Sequence, residues 1–213
     1  MLNLSNEIYL IVLDIDDTLY LERDYVRSGF AAVGRASLKD FGDYCWTLFE
    51  RGIRGNTFDR ARLAFECHKN ELPPTRTLVE FYRNPFREMT LCPDAKSFLD
   101  QSLGRRLAVI TDGPPVSQKS KFEALGLHKY IHPNDVIYTA EECQPKPSPE
   151  AYLKLRNQFR LNPRECIYIA DNPIKDFIAP IALGWHTIRV RRPQSLHEHL
   201  DTPKDVEQEI ASF

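Results

Sequence analysis

No apolar run in this chain of 213 residues approaches the roughly 20 that a membrane-crossing helix needs, so nothing in it reads as a transmembrane segment. The first residues also lack a basic stretch followed by an apolar core and a small-residue cleavage site; the first apolar run reads as a strand instead. A charge excess is missing too. Lys and Arg number 28 against 30 Asp and Glu, a formal net charge of −2 that suggests neither a nucleic acid nor an anionic membrane as partner. Paired cysteines are absent: Cys45, Cys67, Cys92, Cys143 and Cys166 are odd in number, scattered and without a CxxC. That excludes a disulfide framework or a zinc knuckle and leaves reduced core thiols. The 6 His are dispersed. His197 and His199 have the spacing to share one strand face as metal ligands, but they lie in a polar tail and read as surface residues. Internal repeats and low-complexity segments are also missing. The location these absences suggest is the cytoplasm, and they say nothing of oligomeric state.

What is present is ordinary for a globular chain, 42% hydrophobic and 27% charged residues, with a length that suits one core plus a modest insertion. The run Ile8-Tyr9-Leu10-Ile11-Val12-Leu13 reads as a fully buried strand. From Tyr20 to about Arg87 helical spacing replaces strand-like runs: Val26, Phe30, Val33; Phe41, Tyr44, Leu48; Phe58, Leu63, Phe65; Leu78, Phe81, Tyr82. Breaks fall at Gly52–Gly55 and at Leu72-Pro73-Pro74, and Thr77 with Glu80 has capping-box spacing. Strands are expected again at 107–110, 136–138, 166–170 and 187–190. Helices are expected between them, including one from Ile174 to about Leu183 stopped by Gly184. A short amphipathic helix is expected around Val206–Ile210. Strands alternating with helices give an α/β fold, a doubly wound parallel sheet. The helical stretch 20–87 is then an inserted α-helical cap, and residues 1–19 and 88–213 form the core.

The chemistry-bearing residues sit at strand ends. Asp14 and Asp16 follow the first strand directly, Thr111 and Asp112 follow the second, and Asp171 and Asp176 follow the fourth. Lys146 lies in a Pro-flanked loop, Gln144-Pro145-Lys146-Pro147, just before the helix start Ser148-Pro149-Glu150. Ligands of open α/β sheets bind at the carboxyl ends of the strands. Taken singly, each element has an ordinary reading: a turn, a solvated lysine, a helix cap.

Together and in this order, Asp14-Ile15-Asp16-Asp17-Thr18, Thr111-Asp112-Gly113, Lys146 and Asp171…Asp176 resemble the four motifs of the haloacid dehalogenase-like hydrolases. The resemblance covers about residues 8–190. Gln118, Lys121 and Leu125-Gly126-Leu127 are similar to the phosphatases of that superfamily that carry an inserted helical, C1-type cap on a Rossmann-like core. Ala170 stands where many members have Gly. The resemblance implies that Asp14 is a nucleophile forming an aspartyl-phosphate and that Asp16 is the acid and base. It implies further that Thr111, the Asp112 amide and Lys146 bind the phosphoryl group. Mg²⁺ would be held by Asp14, the Asp16 backbone carbonyl and Asp171, with Asp176 orienting Lys146 or a metal-bound water.

The chemistry makes such a set necessary. Hydrolysis of a phosphate monoester can require up to ~10²¹-fold acceleration, whereas one placed acid or base supplies ~10²–10⁴. Most of the gain has to come from a nucleophile, positioning and charge neutralisation. The expected function is a Mg²⁺-dependent phosphatase acting on a small phosphorylated metabolite, a sugar phosphate, nucleotide or sugar-acid phosphate. A phosphomutase of the same superfamily keeps the same motifs, and a non-catalytic binding protein would have lost one of them. Dehalogenases of the superfamily lack an acid at the Asp16 position, and the cap lysine of phosphonatases has no clear counterpart. Tyr20, Arg23, Tyr25, Arg83 and Arg87 are candidate substrate contacts near the cap entrance.

Overall fold

The computed structural model describes residues 4–5, 7–83, 89–102 and 104–213. Among these, six strands form one sheet in the order β3-β2-β1-β4-β5-β6, every pair parallel. In chain order the elements are β1 (Leu10–Leu13), α1 (Glu22–Ala36), α2 (Lys39–Glu50), α3 (Thr57–Ala64), α4 (Thr75–Tyr82), α5 (Pro93–Gln101), β2 (Arg106–Thr111) and α6 (Pro115–Ala124). There follow β3 (Val136–Tyr138), α7 (Thr139–Glu142), α8 (Glu150–Phe159), β4 (Cys166–Ala170), α9 (Ile178–Ala182), β5 (His186–Val190) and β6 (Gln208–Ile210). The chain divides into two compact units, Met1–Glu22 with Met89–Phe213, and Arg23–Glu88. The expected core–cap boundary at 87/88 and the candidate contact Arg87 lie outside the described residues.

The sheet unit follows from apolar runs buried on both faces, as a parallel sheet requires. Leu10, Val12, Ala108, Ile110, Tyr168 and Ala170 pack with Ala151, Tyr152 and Leu155 of α8 in one cluster. The alternating residues Ile11, Leu13, Val109 and Ile169 are equally buried on the other face. The register pairs Leu13 with Val109 on one side and with Ile169 on the other, so β1 stops one residue short of the end of β4 and two short of the end of β2, all on the same edge of the sheet. The strand order reverses between β1 and β4, the switch point at which such sheets open a crevice.

The helical unit has an aromatic core around Phe58, whose ring lies 6.0 Å from Phe30, 6.4 Å from Phe41 and 6.0 Å from Tyr82. Leu63, expected on that face, is 77% exposed. It stands five residues from Phe58, far round the helix, while Ala61 and Phe65 at i+3 and i+7 share the inner face. Helices α1 and α2 cross where Gly34 meets Gly42. A Cβ on Gly42 would lie 2.5 Å from the Phe30 carbonyl oxygen and 2.8 Å from the Gly34 Cα.

Three further local expectations are corrected. Helix α4 begins at Thr75, with the Pro74 carbonyl accepting from Leu78, so Thr77 is interior and caps nothing. The helix expected from Ile174 begins at Ile178, because Asn172 and Asp176 side chains take up the amides of Ile174 and Asn172 in a turn. Residues 208–210 form strand rather than helix: β5 offers an open edge, and Gln208, Glu209 and Ile210 pair with Ile188, Arg189 and Val190. No helix among the described residues is long and apolar enough to cross a membrane. All five thiols are free, but only Cys45 and Cys166 are buried, while Cys67 is exposed.

Two outcomes follow from this packing. Gly42→Ala forces backbone apart at the α1–α2 crossing and should cost about 1–3 kcal/mol, read as a lowered urea midpoint at unchanged slope. Iodoacetamide with peptide mass mapping should modify Cys67 in the native protein and Cys45 and Cys166 only after unfolding; burial also pushes those two thiols up to about 12.

Candidate active site

The neighbouring carboxyl ends of β1, β2 and β4 bring four of the expected side chains together. Asp14 leaves β1 with its amide donating to the Ile169 carbonyl at 3.0 Å, which fixes it beside Asp171 at the end of β4. The Lys146 ammonium lies 2.8 Å from Asp14 Oδ1 and 2.7 Å from Asp176 Oδ1, and donates to the Tyr168 hydroxyl at 3.0 Å. Lys146, Asp14, Asp171 and Asp176 are all buried. Oxygens of Asp14, Asp171 and Asp176 lie within 4.8 Å of one another.

Charge in this cluster is unbalanced, and the acidities record it. Burial pushes the Asp14 carboxyl up to about 6 despite Lys146, with Asp176 and Asp16 adding to the rise. Burial and the neighbouring Asp176 and Asp14 raise Asp171 well above the usual carboxylate range. For Lys146, burial works downward, but Asp14 and Asp176 outweigh it and hold the ammonium charged. Three carboxylates facing one ammonium, all offering oxygen, form the donor set that a hard divalent cation such as Mg²⁺ prefers.

Asp16 is held apart in a network of its own. Its Oδ1 accepts from Lys121 Nζ at 2.6 Å and from the Tyr20 hydroxyl, and its Oδ2 accepts from Gln118 Nε2 at 3.1 Å. Burial alone would raise this carboxyl, but the Lys121 charge and these hydrogen bonds bring it below its ordinary value. Gln118 also donates to the Asp112 carbonyl at 2.8 Å. That approach needs Gly113, at φ +117°, where a Cβ would stand 2.9 Å from the Gln118 nitrogen.

Thr111 closes β2 and is buried, its carbonyl accepting from the Thr139 hydroxyl at 3.3 Å. Asp112 turns its carboxylate to Lys175 (2.6 Å), the Thr139 hydroxyl (2.8 Å) and the Lys146 amide (3.2 Å), so it braces the loop carrying Lys146. Of the other candidate contacts, Tyr20 serves Asp16. Arg23 pairs with Glu50 over the Trp46 ring, Tyr25 packs on Tyr82, and Arg83 closes α4.

Several residues at the site were not singled out from the sequence. Tyr168, inside a strand read only as buried, meets Lys146, and Tyr152 packs edge-on against it while donating to the Asp176 carbonyl at 3.1 Å. Lone tyrosines among aliphatic strand and helix residues were the available signal. Asp17, in the left-handed region at φ 51°, accepts the Glu22 amide at the start of α1 (2.8 Å) and the Leu196 amide (2.7 Å). Burial and Asp171 push Asp17 up to about 7, and burial and Asp16 push Glu22 up to about 8. His197, read as surface, is half-buried with Nδ1 2.9 Å from Asp171 Oδ2. His199 is exposed.

Comparison with known proteins places this geometry. The family profile described as haloacid dehalogenase-like hydrolase matches residues 8–184. Similar curated proteins include a glyceraldehyde 3-phosphate phosphatase from Methanopyrus kandleri, 28% identical over 196 residues, 85% of this chain and 83% of that protein. Another is a phosphoserine phosphatase from Thermus thermophilus, 32% identical over 119 residues, 55% of this chain and 47% of that one. Among solved structures, the HAD-hydrolase YfnB from Bacillus subtilis bound to magnesium shares the fold at a TM-score of 0.67 and 15% identity, over 96% of this chain and 95% of that one. The L-2-haloacid dehalogenase from Xanthobacter autotrophicus does so at 0.63 and 16%, over 96% and 95%. With a profile that runs through the first strand, the Lys146 loop and Asp176 and on to the end of α9, the chain belongs to the haloacid dehalogenase-like hydrolases.

Proposed function

We propose that the protein is a Mg²⁺-dependent phosphatase for a small phosphorylated metabolite, working through an aspartyl-phosphate on Asp14. The observation that carries this reading is the Lys146 ammonium set between Asp14 and Asp176 at the strand ends. Such a cation lowers the repulsion between an anionic nucleophile and an anionic substrate. The curated relatives, named as phosphatases of a triose phosphate and of phosphoserine, support a small substrate.

In this reading Asp14 attacks phosphorus, its carboxylate oxygen forming the new P–O bond while the ester oxygen leaves with a proton from Asp16. Water then attacks the acyl phosphate, giving its proton to Asp16 and releasing phosphate and the free Asp14 carboxylate. Lys121, Tyr20 and Gln118 stabilise the ionised Asp16 that the first step leaves behind and the second step consumes. Thr111 and the Asp112 amide are assigned to the phosphoryl oxygens, and Asp176 holds Lys146 against Asp14. Asp14, the Asp16 carbonyl and Asp171 are the residues that would hold Mg²⁺, which supplies charge neutralisation at the transferring group. The helical unit Arg23–Glu88, inserted in the chain between β1 and β2, is assigned the role of a C1-type cap. Five free cysteines suit a reducing compartment, and we place the enzyme in the cytoplasm.

The test is a phosphate-release screen over triose and sugar phosphates, phosphoserine, nucleotides and sugar-acid phosphates. Asp14→Asn should lower turnover of the best substrate at least about 10³-fold without lowering the thermal midpoint, since it removes the attacking oxygen and one buried charge. Activity surviving in that variant would sink the assigned nucleophile. Excess chelator should abolish release and added Mg²⁺ restore it; turnover indifferent to both would remove the metal from the reading.

A further inference from the structure

The C-terminal segment, residues 191–202, lies beyond the span that matches the family, yet it reaches the carboxylate centre. Its course is set by Arg189 of β5, whose buried guanidinium donates to the Asp171 carbonyl at 3.0 Å, the Leu200 carbonyl at 2.8 Å and the His197 carbonyl at 2.8 Å. One rigid planar cation therefore ties the backbone of Asp171 to the backbone of His197. Leu196 adds a second tie through its amide on Asp17 Oδ2, and Arg192 a third, donating to the Thr18 carbonyl at 2.9 Å.

The hydrogen-bond pattern fixes how the imidazole is used. The Asn172 side-chain oxygen accepts from the Ile174 amide at 2.9 Å, so the Asn172 NH₂ is the group facing His197 Nε2 at 3.2 Å. An NH₂ can only donate, which makes Nε2 an acceptor and leaves the ring proton on Nδ1. That proton points at Asp171 Oδ2, 2.9 Å away. Both ring nitrogens are thereby occupied, and the oxygen of Asp171 that His197 engages is Oδ2.

We infer that His197 is a positioning residue for the divalent-cation site: its Nδ1–H fixes the Asp171 carboxylate so that one oxygen is presented to the metal. The inference rests on the metal reading above and goes beyond it in naming the tail as part of the site. The direction of the Asp171 carboxylate matters because its oxygen shares a space with oxygens of Asp14 and Asp176, all within 4.8 Å of one another. The arrangement reverses the common one in which a carboxylate orients a ligating histidine, with the same effect on ligand orientation.

The test measures Mn²⁺ binding by the loss of free-ion EPR signal, alongside Mg²⁺ activation of phosphate release, in wild type, His197→Ala, His197→Asn and His199→Ala. Asn can present an N–H near the position of Nδ1–H. His197→Ala should weaken Mn²⁺ binding about 10-fold or more, and His197→Asn should recover to within about 3-fold of wild type. His199→Ala should match wild type, and metal-free melting midpoints should agree across the set. The half-saturating Mg²⁺ concentration should rise in step with the Mn²⁺ dissociation constant, while kcat at saturating Mg²⁺ changes far less. His197→Ala binding Mn²⁺ as wild type does, or His197→Asn faring no better than His197→Ala, would overturn the inference. A wild type that binds no Mn²⁺ and releases phosphate in chelator would overturn the metal reading and this inference with it, a result recognisable because all four proteins then behave alike.

Discussion

Everything at the strand ends turns on the excess of buried negative charge around the Lys146 ammonium. At an effective dielectric of about 20, one ion pair at such a distance contributes roughly 6 kcal/mol of attraction. Removing each ion from water costs several kcal/mol after relaxation. With Asp14, Asp171, Asp176 and Lys146 all buried, the attraction keeps Lys146 charged but does not offset the desolvation of the carboxylates, and the raised pKa values of Asp14 and Asp171 are the visible remainder. A fold selected for stability alone has little use for this arrangement. On the proposed reading its physical sense is a site where a divalent cation would supply the balancing charge and an anionic substrate would be neutralised.

The parallel sheet makes such a cluster possible. The paired ends of β1 and β4 set Asp14 near Asp171, and β2 delivers the Thr111–Asp112 turn next to them. The core beneath is not passive. Tyr168 and Tyr152 extend from the apolar cluster to Lys146 and the Asp176 backbone, so the packing that stabilises the sheet also aims the ammonium. On the other side of Asp14, Gly113 lets Gln118 come close enough to bridge the Asp112 carbonyl and Asp16. Two carboxylates two residues apart thereby stand in different surroundings. Asp14 is desolvated and short of cations, and Asp16 is wrapped in donors that hold its charge.

Much of this could be read from the sequence, for a definite reason. An acid placed directly after a fully apolar run is costly unless used, and that cost is visible in one dimension at Asp14 and Asp171. Strands buried on both faces announce themselves as apolar runs, and the turns at Gly126 and Gly184, both at positive φ, fell where expected. What escaped depended on partners distant in sequence. Residues 208–210, within a stretch whose spacing suited a short amphipathic helix, became strand because β5 had a free edge. The turn at 173–177 displaced a helix start because Asn172 and Asp176 preferred local amides. His197 read as surface because nothing nearby in sequence reveals the Arg189 guanidinium that pulls its backbone inward.

Arg189 is the clearest case of a residue whose burial has to be explained by what it joins. A guanidinium stays charged at any physiological pH, so enclosing it is tolerable only where fixed oxygens surround it. Here those oxygens are chiefly backbone carbonyls from the Asp171 turn and from the tail, together with the Thr202 hydroxyl. The tail and the Asp171 turn share this one cation, beside the ties from Leu196 to Asp17 and from Arg192 to Thr18. The strand β5 thus carries the fold's contacts with the carboxylate cluster past the end of the family's matched span, and the polar tail, so weakly patterned as sequence, is bound to that cluster chiefly through one buried charge.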